Sequence, residues 1–565
     1  MVGPIRPDND WFIEAYQLRT GRALRYLMLS LPFVLLVLFL VYPVTVVLLE
    51  GLFRGPGSSF SEVIQSVVTQ RIFIFTVSEA TLSTILALLI GVPGAIILAR
   101  LRFRGKILVR ALLTVPFILP PIVVVVGFIE VFGTGGVIDS FLMLLLHSQT
   151  SVFNVAYGYT GIVLAHAFYN IPLFLLLVSA SLERLDPELE EVAEILGATA
   201  SSKFRKLILP HIRSSVLAAS ILTFLFCFMS FPIVLALGQG NYATLEVQIW
   251  NAFRFFDYGE AASLALIQLI ITLALAYAYV RAGQAERKHA GRTAYIKTVQ
   301  FSSLARKRQV LVVVYAVVLG VLVVGPMVAI LRAAVYDPNS GTFTLRGFAS
   351  LFNAGAEGGY LALVNSLFYA GLATVFSVVI GLLLVYAQRS QGIVVPQVTS
   401  MLSLLPLGIS AITIAYGLMI AIAVPLGLSS NPWPLIIIAQ TLIGVPFSYR
   451  AIEIAQSKID PSLIELADSL GSSRFHRLFF VEIPLLLPGI LVAAIFSFSM
   501  AIGEMSATLF LATPNNITLT ILIYRDLAIR KFVEAGAASL LLVLICVAAF
   551  IIMERVSENG YGGTM

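Results

Sequence analysis

Charge is scarce in this chain. Only 12% of its 565 residues are Asp, Glu, Lys or Arg, about half the share of a water-soluble domain. With 59% hydrophobic residues and a mean hydropathy of +0.96, that shortage excludes a soluble globular protein. Cysteine is scarcer still: Cys227 and Cys546 both lie inside apolar runs, which excludes a disulfide framework and any Cys-x-x-Cys metal spacing. The five histidines are scattered. There is no GxxxxGK[ST] phosphate loop and no HExxH. The sequence therefore assigns no catalytic residue, no cofactor and no metal, and active transport by such a chain draws its energy from another protein. The net charge of +6 is no nucleic-acid footprint, because the basic residues lie in short loops where membrane orientation accounts for them. No cleavable signal peptide is expected, since the first apolar run is too long for one.

What the chain has is long apolar runs. Stretches of about eighteen or more such residues read as membrane spans. Twelve are expected, near residues 26–50, 74–99, 109–132, 159–182, 214–237, 261–281, 309–335, 362–388, 397–423, 434–456, 487–512 and 535–554. With both termini placed in the cytoplasm, the inner segments hold 28 of the 36 Lys and Arg. That skew is the positive-inside pattern, and it places the chain in the cell's inner (plasma) membrane, among membrane lipid.

The chain also repeats itself. One loop reads Asp186-Pro187, Glu191-x-Ala193, Gly197, Pro210; another reads Asp460-Pro461, Glu465-x-Ala467, Gly471, Pro484. A constant offset of 274 superimposes them without a gap. The same offset pairs Pro172 with Pro446, Phe224 with Phe498 and Thr244 with Thr518. Earlier in the halves the offset is 290, pairing Gly91 with Gly381, Pro116 with Pro406 and Gly127 with Gly417. The first half therefore carries sixteen extra residues, expected as an outer loop near 133–158. The expected units are residues 1–290, with a cytoplasmic loop at 183–213, and residues 291–565, with its counterpart at 457–486. Six spans in each half and both loops on one side make a parallel repeat about an axis along the membrane normal.

Each loop predicts a short helical hairpin. Asp caps a helix start and Pro fits its first turn. Leu189, Val192, Ala193 and Leu196 make one apolar stripe, and Gly197 ends the helix where a positive φ is cheap. Leu463, Leu466, Ala467, Leu470 and Gly471 repeat the scheme. A hairpin duplicated in this way suits docking to two copies of a soluble protein. An amphipathic hairpin resting on the membrane surface is the rival reading, but surface helices rarely keep matched Glu, Gly and Pro in two halves.

Glu-x-Ala-x-x-x-Gly followed by a late Ile/Leu-Pro resembles the EAA loop of permease subunits in ATP-binding-cassette importers. The match is complete at Glu191, Ala193, Gly197 and Pro210, and again at Glu465, Ala467, Gly471 and Pro484. Val192 and Leu466 stand where the family usually has a second Ala, which keeps the apolar face. The resemblance implies an all-α membrane protein of the type I importer permease fold that is not itself an enzyme. It implies coupling of these loops to two copies of an ATPase subunit, and solute delivery by an extracytoplasmic binding protein. Two fused halves are similar to the thiamine and iron(III) permeases. The stretches Gly161–Pro172 and Phe226–Gly238 look most like the thiamine type. Thiamine is thus the first expectation, with iron(III) or another small solute as the alternative.

Polar residues within spans face a pathway or a partner helix. Glu79, His166, Asn170, Asn365, Gln440 and Glu504 are such residues, and helix-to-helix bonding is the plainer reading of each. The 274 offset makes Ser230 the counterpart of Glu504. The expected path runs between spans five and eleven, past Ser230 and Glu504, with Met229, Met500 and Met505 as an adaptable apolar gate. An ion-coupled secondary transporter is the rival reading, but it leaves the two loops unexplained. A membrane-embedded enzyme lacks a nucleophile, a metal and an acid pair.

Overall fold

The computed structural model describes residues 29–561 apart from 51–52, 54–58, 107–108, 111, 114–115, 117–118, 289–297, 339, 354–358 and 390–395. Much of the basic linker between the halves lies outside the described residues, as does the Arg-bearing segment before the first span. Eleven helices are long and apolar enough to cross a membrane, or twelve when one bent pair counts as a span. The bent pair is span nine. It is read from hydropathy as one helix over 397–423, but it turns by 96° between Val398–Gly408 and Ala411–Ala423. Pro406 ends the first piece in a short 3-10 turn, and Ser410 starts the second, its hydroxyl accepting the Thr413 N–H at 3.0 Å. Pro removes a helical donor and the capping hydroxyl supplies a new start.

Spans five and eleven also depart from expectation. Neither runs unbroken through 214–237 or 487–512. The first helix stops at Phe228 and resumes as Pro232–Leu237. The second stops at Ile502 and resumes as Ser506–Leu511. The two breaks coincide under the 274 offset. So do the helices beyond them, Leu245–Arg254 with Leu519–Ala528. The extra segment of the first half, expected as an outer loop, is not a plain loop. It contains the helix Val137–Leu146, and buried Asp139 ties its flanks down by accepting the N–H groups of Gly135, Val152 and Phe153.

The halves exchange their first spans. The end of span one, Tyr42–Leu49, packs on Ala411–Leu418 of the second half. The end of span seven, Gly325–Val335, packs on Pro121–Phe132 of the first. Each crossing rests on a glycine. A Cβ at Gly127 would fall on the Pro326 carbonyl group, and one at Gly417 would lie 2.8 Å from the Pro43 carbonyl oxygen. An Arg332–Glu130 ion pair clasps the first crossing. Rings from both halves meet nearby: Phe253 lies 4.3 Å from Phe510 and 5.3 Å from Tyr416, centroid to centroid. Core packing therefore runs through both halves rather than stopping at a boundary between them.

Candidate functional site

The two repeated-loop hairpins have matching construction. Asp186 accepts the Glu188 N–H at 3.0 Å and starts the helix Pro187–Ile195. Asp460 accepts the Ser462 N–H at 2.9 Å and starts Pro461–Ser469. That N–H holds the exposed Asp460 carboxyl below its ordinary value. A cap of this kind satisfies one of the free N–H groups at a helix start. Each hairpin turns at a glycine in the left-handed region, Gly197 at φ +74° and Gly471 at φ +76°. A Cβ would meet nothing within 4 Å at either position, so these glycines serve conformation rather than space. Pro210 and Pro484 lie just past π turns, Phe204–Ile208 and Leu478–Glu482, within the continuous helices of spans five and eleven. Glu191 and Glu465 are exposed, and Ala193 and Ala467 are half-buried. The apolar stripes point outward: Ile195 is 85% exposed, and Leu196 and Leu470 are each 79% exposed.

Ion pairs fix each hairpin to its own half. Lys203 meets Glu194 at 2.7 Å, and the equivalent Arg477 binds Asp468. Beyond that shared pair the halves differ. Arg100, at the end of span two, pairs with Glu190 in the first hairpin, where the second half has Ile464. In the second half Arg477 also reaches Glu482 at 2.9 Å. Glu482 in turn accepts the Tyr386 hydroxyl of span eight at 2.8 Å. Either way, displacement of a hairpin pulls on a membrane span.

At the broken spans the polar atoms are already engaged. Both oxygens of buried Glu504 bond to the start of the resumed helix, accepting the Ala507 N–H at 2.7 Å, the Thr508 N–H at 2.9 Å and the Thr508 hydroxyl at 2.6 Å. Its carboxylate thus acts as a helix cap, a role span hydropathy does not reveal. Ser230 Oγ bonds to His166 Nε2 at 2.7 Å, and His166 Nδ1 contacts Glu79. Met229 and Met500 are half-buried, and Met505 is buried in the main core. The sequence presents Glu79 and His166 as separate polar residues in different spans. The structure joins them with Ser230 and Cys227. Apart from this cluster, Glu246, a residue not singled out for a role, is buried and accepts the Gln268 amide at 2.9 Å. The residues of this cluster lie on different spans, so no local motif announces it.

A duplicated helical bundle with two matched hairpins and a break at the same place in each half is the architecture of a membrane transport permease. Residues 91–285 and 358–559 each match the binding-protein-dependent transport system inner membrane component, and the chain belongs to that family. It is an importer permease of the thiamine and iron group, and the family's ATPase is carried by a separate subunit. The thiamine transport system permease protein of Salmonella typhimurium is 27% identical over 508 residues, covering 89% of this chain and 92% of the relative. That of Escherichia coli is 26% identical over 509 residues, with the same coverage. The ferric transport system permease protein of Actinobacillus pleuropneumoniae is 23% identical over 532 residues, covering 92% of this chain and 76% of the relative.

Proposed function

We propose that this chain forms the transmembrane path of an ATP-driven thiamine importer in the inner membrane, with both termini cytoplasmic. The observation that carries the choice of solute is the match to the Salmonella typhimurium and Escherichia coli thiamine permeases, which spans 92% of their length against 76% for the ferric relative. The chain receives its solute from an extracytoplasmic binding protein. Its two hairpins dock two copies of an ATPase, with Glu191 and Glu465 beside basic groups of that partner. The fused halves each supply one equivalent subunit, so one chain serves two ATPases. Uptake of labelled thiamine by cells lacking this chain, with and without a plasmid copy, tests the solute. Restored thiamine uptake is expected. Restored ferric iron uptake with no change for thiamine would transfer the chain to the ferric branch.

The solute route runs along the pseudo-two-fold axis, past the breaks at 229–231 and 503–505. Residues at a broken span can change partners as the halves rock against each other. Met229, Met500 and Met505 repack there at low cost. Single cysteines replacing Ser230 or Glu504, in a chain whose own two cysteines are removed, should react with a water-soluble maleimide in one nucleotide state and be protected in the other. Protection in every state would make these residues packing groups and place the route elsewhere.

A further inference from the structure

We propose that the first half holds a resident zinc-class metal ion between Glu79, His166 and Cys227. These residues come from three spans: Val67–Arg100, Gly158–Leu182 and Leu209–Phe228. Their exposures are 0%, 2% and 0%. One ligand atom from each lies within 4.8 Å of the other two. Tetrahedral zinc with metal–ligand bonds of 2.0–2.3 Å needs ligand atoms about 3.3–3.8 Å apart, so small side-chain movements bring these atoms to that spacing.

The surroundings are those of a ligand set. A metal-bound histidine donates its second ring N–H to a neighbour, which fixes the ring. Here Nδ1 bonds directly to Glu79, a contact the ion would replace by ligating both, and Nε2 meets Ser230 Oγ at 2.7 Å. Ser83 donates to Glu79 Oε1 at 2.8 Å, and the Asn170 amide donates to Cys227 Sγ at 3.5 Å. Glu79 Oε2 is buried with no hydrogen-bond partner among the described residues, so it keeps a lone pair for a cation. A carboxylate, a thiolate and a neutral imidazole with a divalent ion sum to zero charge, which lowers the cost of ionised groups in a membrane interior. Thiolate and imidazole select zinc and its neighbours over magnesium or calcium. The second half offers no such set: Tyr369, Gln440 and Ala501 stand at the equivalent positions. One ion per chain is therefore expected, not two. It joins spans two, four and five beside the break at 229–231.

The full-length chain, purified in detergent from cells grown with added zinc, should carry one zinc per chain by elemental mass spectrometry. Glu79→Gln, His166→Gln and Cys227→Ser should each lose it, and Cys546→Ser should keep it. Cobalt exchanged into the unmutated protein should show a near-ultraviolet thiolate–cobalt band, a readout that requires no variant to fold. Metal-free monodisperse protein that also gives no cobalt band would overturn the proposal. So would zinc that survives both His166→Gln and Cys227→Ser, because it would then be surface-bound.

Discussion

Replacing Gly197 and Gly471 together with valine is expected to lower solute uptake by roughly a hundredfold while leaving the amount of protein in the membrane unchanged. Both glycines sit at positive φ with open space around the missing Cβ, so valine meets no clash, only an unfavourable backbone. The left-handed region costs an ordinary L-residue about 1–2 kcal/mol, and a β-branched side chain tolerates it least. Each hairpin can relieve that cost by turning differently. The helix carrying Ile195 and Leu196, or Leu470, would then point away from its partner. At about 1.4 kcal/mol per tenfold, two misdirected hairpins account for about two orders of magnitude. ATP hydrolysis by the purified complex should persist without being stimulated by loaded binding protein. Asparagine visits the left-handed region at little cost, so the double asparagine variant should keep most of its transport. Wild-type uptake by the double valine variant would remove the docking role from these hairpins.

The hairpins could be read from sequence because their signals are local. Asp-Pro, an apolar stripe and a glycine lie within twelve residues, and caps and turns are decided over that range. The breaks in spans five and eleven could not. Apolar composition continues through Phe231-Pro232-Ile233 and through Ala507, so hydropathy sees one run where the backbone stops and restarts. Glu504 illustrates the limit: its position inside a span was plain, but its use as a cap depends on where the helix restarts. The Glu79–His166–Cys227 cluster draws on residues 87 and 61 positions apart on three spans, and no spacing motif survives that distance. The offset of 290 paired Gly127 with Gly417 and gave no reason for either. The reason lies in the other half of the chain, which a single-sequence repeat cannot point to.

That exchange of first spans supports the second large effect. Gly127→Leu or Gly417→Leu should prevent the halves from assembling, so little chain survives detergent extraction in monodisperse form. A Cβ at Gly127 would sit 2.9 Å from the Pro326 carbonyl carbon and closer still to its oxygen; one at Gly417 would sit 2.8 Å from Pro43 backbone atoms. Backbone cannot swing aside as a side-chain tip can, and overpacking against it costs about 1–3 kcal/mol or more. The cost falls where two helices cross, so the whole crossing must lift. For Gly127 that also parts the half-exposed Arg332–Glu130 pair, which adds up to about 1 kcal/mol. Gly371 is the control. It lies within the span Gly359–Gln388 with nothing near its absent Cβ, so Gly371→Leu should leave yield and melting temperature close to wild type, or raise them by the helix propensity of about 1 kcal/mol that glycine forgoes. If the Gly127 and Gly417 variants melt like the Gly371 variant, the first spans do not cross between the halves as described. If only one of the two fails, the crossings are unequal, and the Arg332–Glu130 clasp predicts Gly127 as the more sensitive.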